Sequence, residues 1–385
     1  MPGWYNKIKS HLDTGNLNAI GIIQEQHGER TKLFNQWKRM EKMRLVFDSL
    51  NRLDVSAVPI VLFIDEHGII RNRNPKPKDI DEFLATEFPS NANAPTIEFP
   101  VRSGDDSAIA GDFDSAITEY KAYLKANPTD ARATFRLGVC YRKRFDAATV
   151  SSAGDPSDFS QAIGQWQAAL KLNPNQYIWR RRLQQYGPVL SKPYPFYDWV
   201  RRARSEIMAR GETPITLRAE PAGAELVGPR QSTESLNSTG AVEPDPTGNV
   251  NRDSNGAITI QSAIVHSTEQ KKTARIHLLL RPSGVTEFQW NNEVEPVRIW
   301  WDSNRQITPS KQLIEIAPSQ EHASQPTSGE LRSTEFEVSW KDDDKNDAAA
   351  SRNLNGYAVY HLCNKSTGSC AFFRQDIVIQ VVPAR

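Results

Sequence analysis

The sequence predicts a multidomain protein that runs from an α/β segment through an α-helical array to an antiparallel β-sandwich. Three observations predict it. Residues 18–86 alternate short apolar runs with helical spacing, residues 111–174 state one helical hairpin pattern twice, and short strand patterns recur from residue 257 onward. A chain of 385 residues also exceeds what one ordinary core accommodates. The formal net charge of +1 gives no electrostatic case for nucleic acid or an anionic membrane surface. A hydrophobic content of 38% with 24 prolines fits folded domains joined by polar connectors. No apolar run reaches the roughly 18–20 residues that span a bilayer, and the first residues carry no apolar export core. The expectation is a soluble chain.

In the first segment, residues 1–98, a helix is expected at 5–12 and a short buried strand at 18–24 (NAIGIIQ). Leu33, Phe34, Trp37 and Met40 then have the spacing of a helix over 29–43. A second apolar run follows at 44–48 and a third at 60–64. The third is almost wholly β-branched or large, as expected of a strand covered on both faces. Residues 65–68 (DEHG) have turn chemistry, residues 69–71 return as an antiparallel partner, and 78–86 close with a helix.

This order resembles the thioredoxin fold from its active-site helix onward. The Val58-Pro59 step resembles that family's cis-proline, which implies a substrate-binding role for Val58 and Pro59. Read from the residues alone, Pro59 simply begins a strand, which is allowed. Met1-Pro2 resembles the end of the Cys-x-x-Cys-x-x-Glu-Met-Pro motif of thioredoxin-like proteins of the TlpA and ResA type, and the resemblance covers residues 1–95. It implies a thiol–disulfide oxidoreductase family member, N-terminally truncated, whose first strand and cysteine motif lie upstream. No Cys-x-x-Cys is present, and the first cysteine is Cys140. Exchange chemistry needs a low-pKa thiolate with a resolving thiol beside it, so this segment is expected to keep a redox frame without its reactive pair. Lacking a first strand, its sheet is expected to leave backbone groups and apolar side chains uncovered at one edge.

Residues 99–210 carry the helical pattern. GDFDSAITEYKAYLKANP (111–128) and FSQAIGQWQAALKLNP (159–174) place Ala116, Tyr120, Tyr123 and Pro128 in the slots of Ala162, Trp166, Ala169 and Pro174. Between them Leu137-Gly138 and Tyr141 match the first-helix signature of a tetratricopeptide repeat. Small residues let helices approach, aromatics fill the holes and prolines end the helices. Residues 146–158 read as a connector, and 177–186 as a polar-faced capping helix. The resemblance implies a protein or peptide partner bound by the repeat helices; the alternative is a spacer that positions its flanks. The arginines at 180, 181, 182, 201, 202 and 204 read as a solvated face, not a nucleic-acid site.

Residues 211–256 read as a linker, because 221–256 is rich in Pro, Gly, Asn, Ser and Asp. Strands are expected at 257–264, 273–280, 286–290, 297–302, 312–316, 334–340, 356–362 and 372–382, forming a sandwich over 257–385. Residues 341–346 (KDDDKN) read as a charged loop tip. Three cysteines do not make a disulfide scaffold. Cys140, on a helical pattern, reads as a buried inert thiol, whereas Cys363 and Cys370 are close enough to bridge. The ending YAVYHLCNKSTGSCAFFRQDIVIQVV (357–382) resembles the N-terminal domain of the thiol–disulfide interchange protein DsbD, with a slightly longer cysteine spacing. That implies a redox-active pair at Cys363 and Cys370; a structural staple and free thiols are the other readings. His361 stands two residues before Cys363, but no further ligands at zinc spacing accompany it. No cofactor or metal is expected.

Two functions follow. One is a thiol–disulfide oxidoreductase-family protein with a partner-binding repeat module and without its N-terminal catalytic thiols. The other is a non-catalytic interaction scaffold. The redox resemblance places the protein outside the cytoplasm if an export segment lies upstream, and in the cytoplasm otherwise.

Overall fold

The computed structural model describes residues 2–89, 104–149, 157–228, 241–268, 272–284, 286–302, 306–340 and 352–382. It is a mixed helical and sheet structure with two compact units. The first comprises Met1–Cys140, Ala168–Arg180 and Asp198–Glu220; the second comprises Tyr141–Gln167, Arg181–Tyr197 and Pro221–Arg385.

In the first unit the chain runs α1 (Pro2–Thr14), β1 (Ile20–Ile23), α2 (Gly28–Trp37), β2 (Arg44–Phe47), β3 (Leu62–Ile64), β4 (Ile70–Arg73) and α3 (Ile80–Ala85). β1 and β2 pair in parallel, and β3 and β4 form an antiparallel hairpin whose turn is fixed by Asp65, which accepts from the His67 and Ile69 amides. One core holds Tyr5 and Ile8 of α1 with Met40, Met43, Phe63 and Ile80. The opposite faces of the strands stay open: Ile20 is 58% exposed, Ile64 50% and Ile22 48%. This overturns the expectation that residues 60–64 are covered on both faces, since Ile60 and Leu62 are exposed as well. An apolar run demands a cover, but it does not reveal whether a second layer is there. The edge of β2 away from β1 pairs with no described strand. The Val58-Pro59 bond is cis.

The helical region follows as α4 (Asp105–Ala110), α5 (Phe113–Ala126), α6 (Ala131–Thr149), α7 (Ser157–Leu172), α8 (Tyr177–Gln184) and α9 (Trp199–Ala209). Asp112 caps α5 by accepting from the Ser115 amide. α6 extends to Thr149, so residues 146–149 of the expected connector are helical; residues 150–156 lie outside the described residues. α8 departs further from its reading. Ile178, Trp179, Arg182, Leu183 and Gln184 are all buried, so its polar character does not mark a solvated face. Arg182 instead lies over the Trp166 ring, 5.6 Å from its centroid, where a guanidinium covers apolar surface as well as carrying charge.

The second unit adds β5 (Asn251–Arg252), β6 (Ile258–His266), β7 (Thr273–Pro282), β8 (Phe288–Asn291), β9 (Val297–Trp301), β10 (Ile307–Pro309), β11 (Leu313–Ile316), β12 (Thr327–Ser328), β13 (Arg332–Trp340), β14 (Arg352–Asn364) and β15 (Cys370–Val381). A four-stranded sheet has the order β10-β13-β7-β6, and a larger one the order β11-β9-β14-β15-β5, with β8 also paired to β14 and β12 paired to β8. All pairings are antiparallel except β15 with β5. Alternate residues such as Ile276, Leu278 and Phe336 on one sheet and Leu354, Tyr360 and Ile379 on the other share a single core. All eight expected strands are present. The 341–346 tip lies outside the described residues. Parts of 211–256 are packed: Leu217, Ala224, Glu225 and Asp245 are buried.

Candidate functional site

The repeat slots are filled as the spacing requires. Ala116, Tyr120, Ala162 and Trp166 are wholly buried, and Leu137 and Tyr141 nearly so. What the pattern does not show is a charge pair. Asp105 accepts from both Arg136 Nη1 (2.6 and 2.9 Å to its two oxygens) and Tyr120 Oη (2.5 Å). Both side chains of the ion pair are 1% exposed. Burial, reinforced by the Asp105 bond, raises the Tyr120 phenol far above its ordinary range, so it stays a donor. Gly104 makes room for this triad: a Cβ there would lie 2.8 Å from the Tyr120 ring, and its φ of +94° suits glycine.

A repeat array commonly offers its inner helices to a ligand. Here every residue of α6 from Ala133 to Arg142 is buried. In the first unit, Arg136 Nε donates to the Leu50 carbonyl at 3.2 Å, and Gln26 Nε2 to the Val139 carbonyl at 3.5 Å. In the second, the Arg142 guanidinium lies 4.8 and 4.9 Å from the Phe159 and Tyr186 ring centroids. The inner helix is therefore occupied by the chain itself. The surfaces left are outward stripes at helical spacing: Asp114, Thr118, Lys121 and Lys125 on α5, and Gln161, Gly164, Ala168 and Lys171 on α7.

Cys363 and Cys370 are directly opposed on β14 and β15 and joined by a disulfide. The Asn364 amide bonds the Ser369 carbonyl at 2.8 Å, which makes 363–370 the adjoining non-hydrogen-bonded pair, the type in which side chains approach most closely. Leu362 and Tyr360 point into the core, so period-two alternation sends Cys363, His361, Val359 and Tyr357 to the other face. Cys363 is buried and Cys370 exposed. Beside the pair, His361 stacks on Phe372 at 4.2 Å and faces Glu295 at 3.2 Å. Arg374 lies over Tyr357 at 3.6 Å and pairs with Asp245 at 2.8 Å. That pairing and two backbone donors hold the Asp245 carboxyl below its usual range against the opposing effect of burial. Among the described residues no group of three His, Cys, Asp or Glu could hold a metal. Cys140 is buried and lies outside the disulfide.

Val58 is 51% exposed. Its loop is anchored by Asn51, whose side chain accepts from the Val55 amide and donates to the Val55 carbonyl. The exposed Val58-Pro59 loop belongs to the first unit and the disulfide to the second.

Residues 109–151 match the tetratricopeptide repeat family, which takes in α5 and α6. The match identifies a protein–protein interaction module. No curated protein matches the chain. No described helix is long and apolar enough to cross a membrane.

Proposed function

We propose that this chain is a protein-interaction scaffold that takes its partner on the outward stripe of α5. The observation that carries this reading is the filled and matched repeat hairpin, together with the burial of α6, which leaves the outer helices to a ligand. The inner helix then does the spacer's work, holding the chain's own segments, so the two readings of the repeats are complementary. The test is selection of a peptide ligand by the full chain, followed by charge reversal on α5 (Lys121→Glu with Lys125→Glu). Affinity is expected to fall at least about tenfold, in line with the loss of an interface's main contacts; unchanged affinity would overturn the assignment of this face.

Thiol–disulfide exchange at Cys363–Cys370 is the second reading. It is favoured by the exposure of Cys370 on a strand hairpin resembling that of DsbD. The parallel β1–β2 pair and the β3–β4 hairpin support a partial thioredoxin-like arrangement in the first segment, where Val58 and Pro59 would contact an extended polypeptide. A reduction potential above about −300 mV would support exchange, and a lower one an inert bridge. As a staple the bridge closes a short loop: Cys363→Ser with Cys370→Ser is expected to cost about 2 kcal/mol, read as a lower urea midpoint for the sheet signal. An unchanged midpoint would remove the structural role.

A further inference from the structure

The outer face of the four-stranded sheet carries charge where solvent would be expected, yet it is covered. Arg275 and His277 of β7 are buried, and Glu335 and Glu337 lie opposite His277 and Arg275 on β13. Three things converge on these carboxylates within the second unit. Arg275 bridges them, at 3.0 Å from Glu335 and 3.2 Å from Glu337. The turn after α8 is held by the Val189 amide, which donates to Glu337 at 2.6 Å, and by the Tyr186 carbonyl, 2.8 Å from His277 Nε2. A strap at residues 221–225 is held by the Ala224 amide, which donates to Glu335 at 2.6 Å. The strap is seated closely, because a Cβ on Gly223 would run into the Glu335 carboxylate.

Lys192 closes this arrangement. It is 2% exposed, and its Nζ donates to the Ala224 carbonyl. Ala224 is thus held at both ends, its N–H by a carboxylate and its C=O by an amine. No described carboxylate lies within ion-pair distance of Lys192. The charged groups facing it are Arg275, which repels a proton there, and Glu335, Glu225 and Glu337, which favour one. Glu335 and Glu337 are already engaged by Arg275 and backbone amides, Glu335 also faces His277 at 3.3 Å, and Glu225 accepts from the Ala222 amide at 3.4 Å.

We propose that Lys192 is a proton-linked latch: it fastens the strap and the preceding turn to the sheet when its amine is uncharged, and loosens them when the amine takes up a proton. A neutral amine still donates to the Ala224 carbonyl, whereas a buried ammonium bears a desolvation cost that Glu335, Glu225 and Glu337 offset only in part. Burial, followed by the like charge of Arg275, pushes the amine down to about 7. The sign follows from linkage. Once the strap opens, the lysine returns toward its ordinary value of 10.5, so above about pH 7 the open form binds more protons than the closed one. Closure is therefore weakest below pH 7 and strengthens as pH rises from there toward 10.5. Glu335, held at about 2 by His277 and Arg275 against the effect of burial, stays ionised throughout.

Hydrogen exchange at the Ala224 and Val189 amides of the full chain, corrected for the intrinsic pH dependence, tests this. Protection is expected to rise by about tenfold per pH unit above pH 7.5, the slope of one linked proton, and to level off below pH 6.5. Lys192→Met should abolish the slope. A slope that persists in Lys192→Met but disappears in His277→Gln would assign the switch to the imidazole and overturn the proposal, as would a flat profile in the unsubstituted chain. Should Lys192→Met not fold, NMR titration of the Lys192 Cε signal decides: a midpoint near 7 supports the latch, and one near the ordinary lysine value contradicts it.

Discussion

Asp105→Ala is expected to destabilise the first repeat hairpin by about 3–5 kcal/mol, the cost of leaving a buried charge without its partner. Arg136 is 1% exposed, and its remaining described hydrogen bond, to the Leu50 carbonyl, does not neutralise the guanidinium. Tyr120 loses its acceptor at the same time. Urea unfolding followed at the α5 and α6 amides reads the effect. A second variant separates charge from shape: Asp105→Leu with Arg136→Met removes both charges, and replacing a buried pair by apolar residues of similar size is often neutral. The double variant should recover most of the loss. A cost below about 1 kcal/mol for Asp105→Ala, the range of an exposed pair, would show that this network does not hold α4 to α5 and α6.

Gly356→Ala is expected to be comparably severe in the second unit. Gly356 sits opposite Trp301 of β9 and Ile377 of β15 in the larger sheet. A Cβ there would lie 2.2 Å from the Trp300 carbonyl oxygen and 2.6 Å from the Trp301 ring. The first obstacle is backbone, which no rotamer change relieves, so β14 and β9 must separate locally. The expected cost is about 3 kcal/mol, the upper end of ordinary overpacking, read as a lower unfolding midpoint of the sheet signal. Gly164→Ala is the contrasting case. Gly164 lies inside α7 with nothing near its Cβ position, so alanine should stabilise that helix by about 0.5–1 kcal/mol. Equal effects from the two substitutions would contradict the packing described for β14.

The repeat was legible because its residue types answer a local geometric demand. A small residue at 116 or 162 and an aromatic at 120 or 166 are required wherever two helices pack at that spacing, and all four are buried. The strands from residue 257 were legible for a similar reason, since alternation follows from the pleat. Asp105 and Arg136 were not legible. They stand 31 residues apart, and a single charge pair at such separation has no period to betray it. The burial of Arg275 and His277 is hidden for a related reason: they occupy the polar phase of β7, which alternation assigns to solvent, but the second unit covers that face. The error ran the other way at Ile60, Leu62 and Ile64, which are apolar and open. Patterning tells which face of an element is apolar, and the presence of a covering layer is a tertiary fact. Of the named site residues, Cys363 and Cys370 are brought together and Val58-Pro59 is exposed, which the sequence left open in both cases.

We propose that this chain binds protein through the outer face of α5, with the disulfide in a separate role. Calorimetric titration of one selected peptide ligand into three full-length proteins tests it most directly: the unsubstituted chain, Lys121→Glu with Lys125→Glu, and Cys363→Ser with Cys370→Ser. Affinity is expected to be at least about tenfold weaker for the α5 variant and unchanged for the cysteine variant. Full affinity in the α5 variant with loss in the cysteine variant would contradict it and place the interaction at the disulfide.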